Sequence, residues 1–387
     1  MQKSKTRSIF NYLNTTVLAI IMLFVIVALI TTSYFSFKFN STNLTNLFKS
    51  VNSTELYVDM MHSENHLFPK SEGKDFSLSN FFLHLTTNIR FDDIRTLLGR
   101  ELPALTYFHT EIAVAEEGTT LANLPFESIP SQDMLENPLK VDEEKAKQEE
   151  NSQTQPPPSE EHKNPVTEPN NKTVFIYNSH NLEAYRPLLE NTTNNENVVS
   201  SDERANVVGV SSKLTNLLQQ EGLGIEFSKA NINQILLDKK WNYYSAYKAS
   251  KEVVEAAVSK NNSLKYLIDI HRDAAGKQIT TASINGKNYA KLYLVVGKGN
   301  TNYEKNLAFS IRLHDELKKN YPGISRGVFL KGYDEGDGVY NQNFSDRAIL
   351  LEVGGVDNTN DEITRSIEAF AEIFSKLYWE ENNATQQ

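Results

Sequence analysis

The chain has 387 residues, of which 39% are hydrophobic and 23% are charged, and its formal net charge at pH 7 is -10. A typical domain has ~100–200 residues, so we expect two domains, and the acidic balance argues against a general nucleic-acid-binding protein, which would carry a basic patch. The sequence contains no cysteine. This excludes a thiol nucleophile, a disulfide framework, a zinc ribbon and an iron–sulfur cluster, and leaves His, Asp and Glu as the ligands for any metal.

A charge-free apolar run, VLAIIMLFVIVALI, begins at Val17. With its flanks it approaches the ~20 residues that span a bilayer. Basic residues and no acidic residue precede it, and positively charged flanks stay in the cytoplasm. We therefore predict a cytoplasmic tip at residues 1–16, a cell-membrane anchor at 17–36 and an extracytoplasmic location for the remainder. A cleaved signal peptide is the alternative, but the run is long for one and no small-x-small cleavage site follows it.

The sequence of residues 45–130 predicts a small extracytoplasmic region of mixed structure. FSLSNFFLHL and FDDIRTLLGREL have the apolar spacing of helices, and ALTYFHTEIAVA can form a strand. His62 and His66 have the i, i+4 spacing of a metal-binding pair on a helix, but no third ligand lies near them in the sequence. Because the region lacks any grouping of catalytic residue types, we expect it to dock partner proteins.

Residues 131–171 differ in composition from the segments on either side. They contain a proline triplet and many Glu, Gln and Asn residues, with few apolar side chains. Such a segment cannot bury enough apolar surface to offset the entropy lost on ordering. It predicts a disordered, extended linker to a C-terminal domain at residues 172–380.

In this C-terminal domain, segments with the pattern of strands alternate with segments that have helical periodicity. The predicted strands are TVFIYN (173–178), GLGIEFS (222–228), LKYLIDI (264–270), KLYLVVG (291–297) and AILLEVGG (348–355). The predicted helices are 205–220, 244–260, 303–319 and 361–377. This alternation predicts an α/β fold, with a mostly parallel sheet and helices on both of its faces. Ligands of such sheets bind at the C-terminal ends of the strands.

Three of the predicted strands end in side chains that can hold a metal. His180 and Glu183 follow the first strand, His271 follows the strand at 264–270, and Glu352 lies in the last strand. Because like ends of parallel strands lie on one side, we expect these side chains to converge. Two histidines and one carboxylate, with a fourth position left open, form a recurring catalytic zinc set. We predict that His180, Glu183 and His271 bind zinc. Glu352 is then the general base, since burial raises the pKa of a carboxylate into a useful range.

Other residues near these strands offer alternatives. Glu203 is the alternative carboxylate ligand, because it lies just before the helix at 205–220. Arg272 is a candidate catalytic residue that would bind a substrate carboxylate or a developing oxyanion. Asp269 or Asp273 can hold the second ring nitrogen of a ligand histidine. A His-x-x-Glu spacing alone is a weak signal, and the competing interpretation is a set of hydrogen-bonded loop residues and surface ion pairs.

Five motifs occur in the order YNSHNLEAY, NVVGVSSKL, IDIHRD, YNQNFS and ILLEVGGVDNT. Together with the predicted anchor, linker and C-terminal domain, they resemble the stage II sporulation protein P family, with the closest likeness over the C-terminal domain. The resemblance implies a zinc-dependent N-acetylmuramoyl-L-alanine amidase, with an endopeptidase activity as well, and a fold similar to that of the zinc amidases. It implies action on the peptidoglycan of the sporulation septum during engulfment, beside stage II sporulation proteins D and M.

The motif histidines of this family match His180 and His271, and the motif glutamate near the C-terminus matches Glu352. The resemblance does not decide between Glu183 and Glu203 as the carboxylate ligand. The first motif commonly has threonine before the histidine, where this chain has a serine, which is also a small hydroxyl residue.

Two other functions fit the same residues. The first is a zinc carboxypeptidase-type peptidase, which would need a pocket for the terminal carboxylate of its substrate. The second is a non-catalytic wall-binding scaffold, although such a protein has no need of the complete set of His180, His271 and Glu352.

Overall fold

The computed structural model describes residues 111–152 and 171–384, apart from residues 121–122, 126, 128, 191, 193–196 and 334–335. The predicted tip, the predicted anchor at 17–36 and the region from 45 to 110 lie outside the described residues. Among the residues that are described, no helix is both long and apolar enough to cross a membrane.

A sheet of seven strands forms the centre of the described structure. Its strands are β1 (Glu111–Ala115), β2 (Val174–Tyr177), β3 (Ile225–Phe227), β4 (Tyr266–Asp273), β7 (Leu292–Gly297), β8 (Ser325–Lys331) and β9 (Arg347–Gly355). A separate hairpin consists of β5 (Thr281–Ile284) and β6 (Lys287–Ala290). The order across the large sheet is β1-β8-β7-β9-β4-β2-β3.

Most neighbouring strands of this sheet are parallel. The pairs β2–β3, β2–β4, β4–β9 and β7–β8 are parallel, whereas β7–β9 and β1–β8 are antiparallel. If β7 ran in the same direction as β4, the chain between them would have to cross back over the sheet. Such a crossover takes a dozen or more residues and is usually a helix. The chain has only a four-residue helix and the β5–β6 hairpin there, and β7 runs antiparallel to β9.

Helices lie between the strands and after the last one. They are α1 (Gln132–Glu136), α2 (Glu143–Ser152), α3 (Val207–Gln220), α4 (Ile232–Asp238), α5 (Ala246–Lys260), α6 (Lys277–Thr280), α7 (Tyr303–Asn320) and α8 (Asn360–Ala384). The N-terminus of α3 is capped by Asn206, whose side chain accepts hydrogen bonds from the N–H groups of Val208 and Gly209. This cap satisfies two donors that a helix start otherwise leaves unpaired.

Side chains alternate along each strand, so every strand supplies residues to both faces of the sheet. Both faces are buried, because helices pack against each of them. On one face, Ile176 and Ile268 share an apolar core with α3, α7 and α8. On the other face, Phe175 and Leu267 pack with Val254 of α5. We call this second side the α5 face. The predicted α/β fold with a mostly parallel, doubly covered sheet is thus observed.

The boundaries of the described domain differ from the predicted ones. All described residues belong to one unit, Leu98–Gln387, and β1 from the predicted N-terminal region pairs with β8. The predicted linker also contains α1 and α2 in its first part. Leu135, Val141 and Ala146 are buried there, so these few apolar side chains supply the contacts that the polar composition of the segment concealed. The rest of the predicted linker, from 153 to 170, lies outside the described residues.

Candidate metal site

The candidate site lies at the C-terminal ends of the adjacent parallel strands β2, β4 and β9. His180 and Glu183 are in the turn that follows β2, and a hydrogen bond from Glu183 N–H to His180 O closes that turn at 3.0 Å. His271 of β4 lies directly opposite Glu352 of β9 in the ladder. The two side chains therefore leave the sheet on the same side, the α5 face, as the register of the strands requires.

Hydrogen bonds from two small polar residues hold the turn after β2 against β4. Asn178 donates its side-chain N–H to Ile270 O at 2.7 Å. Ser179 donates its backbone N–H to one oxygen of Asp269 at 2.9 Å and its hydroxyl to the other at 2.6 Å. A serine or a threonine can make the hydroxyl contact, so the serine found here keeps the link. These bonds fix the position of His180 relative to β4.

Three of the predicted residues bring one ligand atom each to a common point. These atoms of His180, Glu183 and His271 all lie within 4.8 Å of one another. Nδ1 of His180 lies 3.3 Å from Oε1 of Glu183, and Nδ1 of His271 lies 3.5 Å from Oε2 of Glu183. Two ligands bound ~2.0–2.1 Å from a tetrahedral zinc ion are about 3.4 Å apart. The two distances from Glu183 to the histidines match this separation, so the three side chains form a candidate metal site.

The buried carboxylates and imidazoles perturb one another strongly. Burial by itself raises the pKa of Glu183, but hydrogen bonds and positive charge from His180 and His271 outweigh burial and hold that pKa well below its usual range. Burial by itself lowers the pKa of His271, but the carboxylates of Asp269 and Glu183 raise it well above the usual value. The site thus attracts a positive charge, which a proton or a divalent cation can supply.

Glu352 has the properties of a general base. Burial raises the pKa of its carboxyl to about 8, and Glu183 and Asp273 add to that rise while His271 opposes it. Its Oε2 is buried and makes no hydrogen bond within the described residues. The ring nitrogens of His271 are also buried, with Glu183 3.5 Å from Nδ1 and Asp269 3.1 Å from Nε2. Buried polar atoms without partners are rare in native proteins. A metal ion shared with Glu183 would satisfy Nδ1 of His271 and a water molecule would satisfy Oε2 of Glu352, so the donor set fits a metal.

Two tyrosines at the start of α5 cover the histidines. The Tyr243 ring stacks on His180 with centroids 4.6 Å apart, and the Tyr247 ring is nearly parallel to His271 at 6.0 Å. His180 and His271 are each at most 3% exposed. Sequence analysis did not identify these tyrosines, although their i, i+4 spacing at the start of a predicted helix places both on one helical face.

The structure separates the two alternative carboxylate ligands. Glu183 lies between the two histidines, whereas Glu203 accepts a hydrogen bond from Lys229 at 2.6 Å and its side chain is 47% exposed. Glu203 does not belong to the group of ligand atoms formed by His180, Glu183 and His271. The geometry therefore selects Glu183 as the ligand that joins the two histidines.

Arg272 does not occupy the catalytic position that the sequence suggests. It follows His271 in β4, so strand alternation directs its side chain away from the α5 face. Its guanidinium is buried and donates to the carbonyl oxygens of Ala184 at 2.9 Å and Val198 at 3.1 Å. Its backbone N–H donates to Oε2 of Glu183 at 3.1 Å. Arg272 therefore holds in place the chain segments around Glu183, and its catalytic role stays a prediction.

The two aspartates differ in their contacts. Oδ1 of Asp269 lies 3.1 Å from Nε2 of His271, so this residue is the one placed to orient the second nitrogen of a ligand histidine. Asp273 instead pairs with the buried Arg326 and accepts from Ala275 N–H at 3.0 Å. The alternatives that the sequence left open are resolved in favour of Asp269.

Comparison with known proteins identifies relatives of most of the chain. The family model described as stage II sporulation protein P matches residues 92–375. The stage II sporulation protein P of Bacillus subtilis (strain 168) is 39% identical over 333 residues, which are 84% of this chain and 81% of that protein.

Solved structures are similar only at a low level. The CwlD amidase from Clostridioides difficile, in complex with the GerS lipoprotein, is 15% identical with a TM-score of 0.33, over 54% of this chain and 98% of that one. Murine aminoacylase 3 is 13% identical with a TM-score of 0.31, over 54% and 66% of the two chains. Scores of this size support no conclusion about activity.

Proposed function

Because the chain belongs to the stage II sporulation protein P family, we propose that it is a zinc-dependent peptidoglycan hydrolase of sporulation. The bond proposed is the amide between N-acetylmuramic acid and the L-alanine of the stem peptide, with cleavage of peptide cross-links as a further activity. The observation that carries the proposal is the convergence of His180, Glu183 and His271 beside Glu352, whose buried oxygen lacks a partner.

The roles of the residues follow from their positions. His180, Glu183 and His271 would hold the metal. A zinc ion there would supply Lewis-acid chemistry, lowering the pKa of water toward ~7 and polarising the carbonyl under attack. Glu352 removes a proton from the attacking water and passes it to the nitrogen of the leaving amine, so the hydroxyl of the water ends on the carbonyl carbon and the proton on the amine. Asp269 keeps the His271 ring in its orientation from the far side.

The proposal includes a location and partners. The apolar run that begins at Val17 and its basic flank support a single membrane anchor, with the catalytic domain outside the cytoplasm. In the sporulation septum this arrangement would keep the enzyme on the mother-cell membrane while it removes wall material. Stage II sporulation proteins D and M are the proposed partners, and peptidoglycan is the substrate.

The test is a digest of purified peptidoglycan by the full chain, with a chelator, without it, and with zinc added back after chelation. We expect free stem peptides in the mass spectrum, their loss with chelator and their return with zinc. Cleaved cross-bridges would add the endopeptidase activity.

Two other results would replace the proposal. Removal of single C-terminal residues only would indicate the carboxypeptidase-type alternative. Binding to peptidoglycan without any cleavage, under every metal condition, would indicate the scaffold.

A further inference from the structure

The candidate site is closed. His180, Glu183, His271 and Glu352 are each at most 5% exposed, so a polymeric substrate cannot reach them in this conformation. An enzyme with this site must have a second, open conformation. The question is which part of the chain moves.

A segment before the predicted catalytic domain crosses the α5 face. We call the described residues of this segment, 119–120, 123–125, 127 and 129–139, the strap. At its start, Thr119 donates its hydroxyl to Arg326 O of β8 at 2.9 Å. Leu124 is 4% exposed and packs in one cluster with Tyr247 and Tyr293. The strap thus begins beside β8 and reaches Tyr247 on the α5 face.

The strap ends on the opposite side of the site. Leu135 is buried in a cluster with Leu182 and Val199, against which Tyr243 also packs. Leu139 N–H donates to Val199 O at 2.9 Å. The strap therefore packs against both tyrosines that cover the histidines, Tyr247 through Leu124 and Tyr243 through the cluster of Leu135.

Midway along the strap lies the carboxylate of Glu127. It accepts a hydrogen bond from the hydroxyl of Tyr247 at 3.0 Å, and Nζ of Lys331 is 3.8 Å from it. Lys331, at the end of β8, is itself 4% exposed. A buried ammonium needs a counter-charge, since desolvation of an unpaired charge is costly. Glu127 supplies a counter-charge from a segment that is not part of the sheet, in addition to the negative charge of Glu352, which also interacts with Lys331.

We propose that the strap is an autoinhibitory cover, and that Glu127 occupies a subsite of Tyr247 and Lys331 whose ligand during turnover is a carboxylate of the stem peptide. This inference rests on the proposed function, because it takes the peptide part of peptidoglycan as the substrate. When the strap leaves, Lys331 loses the charge of Glu127 and Tyr247 loses its acceptor. A peptide carboxylate restores both, beside the metal ligand His271 on which Tyr247 stacks.

This arrangement makes the closed state compete with substrate. The apparent affinity of a ligand falls in proportion to the fraction of molecules in which its site is open. Loss of the Glu127 charge weakens the closed state and leaves the subsite intact. Loss of Lys331 removes the subsite itself.

The test is equilibrium binding of two synthetic muramoyl peptides to the full chain, one with free carboxylates and one fully amidated. A chelator prevents hydrolysis during the titration. We expect Glu127→Gln to bind the free-acid peptide ~10-fold more tightly than the wild type, the size of one charge-assisted contact. We also expect Glu127→Gln to bind the free-acid peptide ~10-fold more tightly than the amidated peptide. The double variant Glu127→Gln/Lys331→Met should bind the two peptides equally.

The matched control is Glu136→Gln. Glu136 is a second strap glutamate, exposed and bonded only locally to Gln132 at 2.8 Å, so its substitution should leave both affinities unchanged. If Glu127→Gln does not fold, Leu135→Ala serves as the second variant. It removes a buried contact at the other end of the strap and should increase the affinity for both peptides.

The outcomes separate this inference from the proposed function. If Glu127→Gln binds the peptide more tightly but no bond is cleaved under any metal condition, the autoinhibitory role of the strap is supported and the proposed hydrolase activity is contradicted. Unchanged binding in Glu127→Gln and Leu135→Ala, or a carboxylate preference that survives loss of Lys331, would overturn the strap and its subsite even if peptidoglycan is cleaved.

Discussion

Glu352→Gln is expected to lower the rate of peptidoglycan cleavage by ~10²–10⁴-fold, the usual contribution of general acid–base catalysis, while metal content stays at the wild-type level. Glutamine keeps the shape of the side chain but cannot take a proton from water. Glu352 lies opposite His271 and is not one of the three clustered ligands. The cleavage rate is measured as the initial rate of stem-peptide release, and the metal content is measured on the purified variant.

A second buried glutamate provides the control for this substitution. Glu362 of α8 is 3% exposed and lies 2.8 Å from Lys277, outside the candidate site. Glu362→Gln should therefore cleave peptidoglycan at close to the wild-type rate. Full activity in Glu352→Gln would show that the proton is carried by another group.

Arg272→Met is expected to destabilise the fold by about 3–5 kcal/mol, because it leaves several buried carbonyl oxygens without a donor. Methionine keeps much of the apolar stem but none of the bonds to Ala184 O and Val198 O. For a domain of this size, the loss corresponds to a fall in Tm of about 10 °C. Thermal and denaturant unfolding of the variant measure it.

Arg204→Met is the control for that prediction. Arg204 also pairs with two carboxylates, Glu143 at 2.6 Å and Asp202 at 2.7 Å, but it is exposed. Surface ion pairs contribute little to stability, so its Tm should match the wild type. Wild-type stability with lost turnover in Arg272→Met would instead restore the catalytic role that the sequence suggested for Arg272.

The parallel strands and the main site residues were predictable from the sequence. The apolar runs at 173–178, 264–270 and 348–355 are short and bounded by polar residues, as buried strands are. All three form strands close to the predicted limits. Since each ends in polar side chains, parallel pairing was sufficient to bring His180, His271 and Glu352 to one edge.

Other features depended on contacts that periodicity does not reveal. The hairpin β5–β6 was not predicted, although its turn residues Asn285 and Gly286 both have positive φ and form the Asn-Gly pair typical of such turns. The prediction for Arg272 weighed residue type without strand alternation, which separates its side chain from that of His271. The choice of Glu183 over Glu203 required the three-dimensional path of the turn after β2.

The second half of the strap was concealed by composition. Residues 131–139 belong to the segment predicted as a polar linker, yet Leu135 is buried against the domain. A few apolar anchors are enough to order a segment when the surface that receives them is already folded, since burial of one leucine stabilises by ~1.5–3 kcal/mol. Sequence averages over 40 residues do not resolve such single anchors.

The most direct test of the account is the zinc content of the full chain and of two variants, Glu183→Gln and Glu203→Gln, after dialysis against trace zinc. We predict one zinc ion per chain in the wild type and in Glu203→Gln, and loss of tight binding in Glu183→Gln, because only Glu183 joins His180 and His271. Undiminished zinc in Glu183→Gln, or no zinc in the wild type, would contradict a metal centre at these three residues.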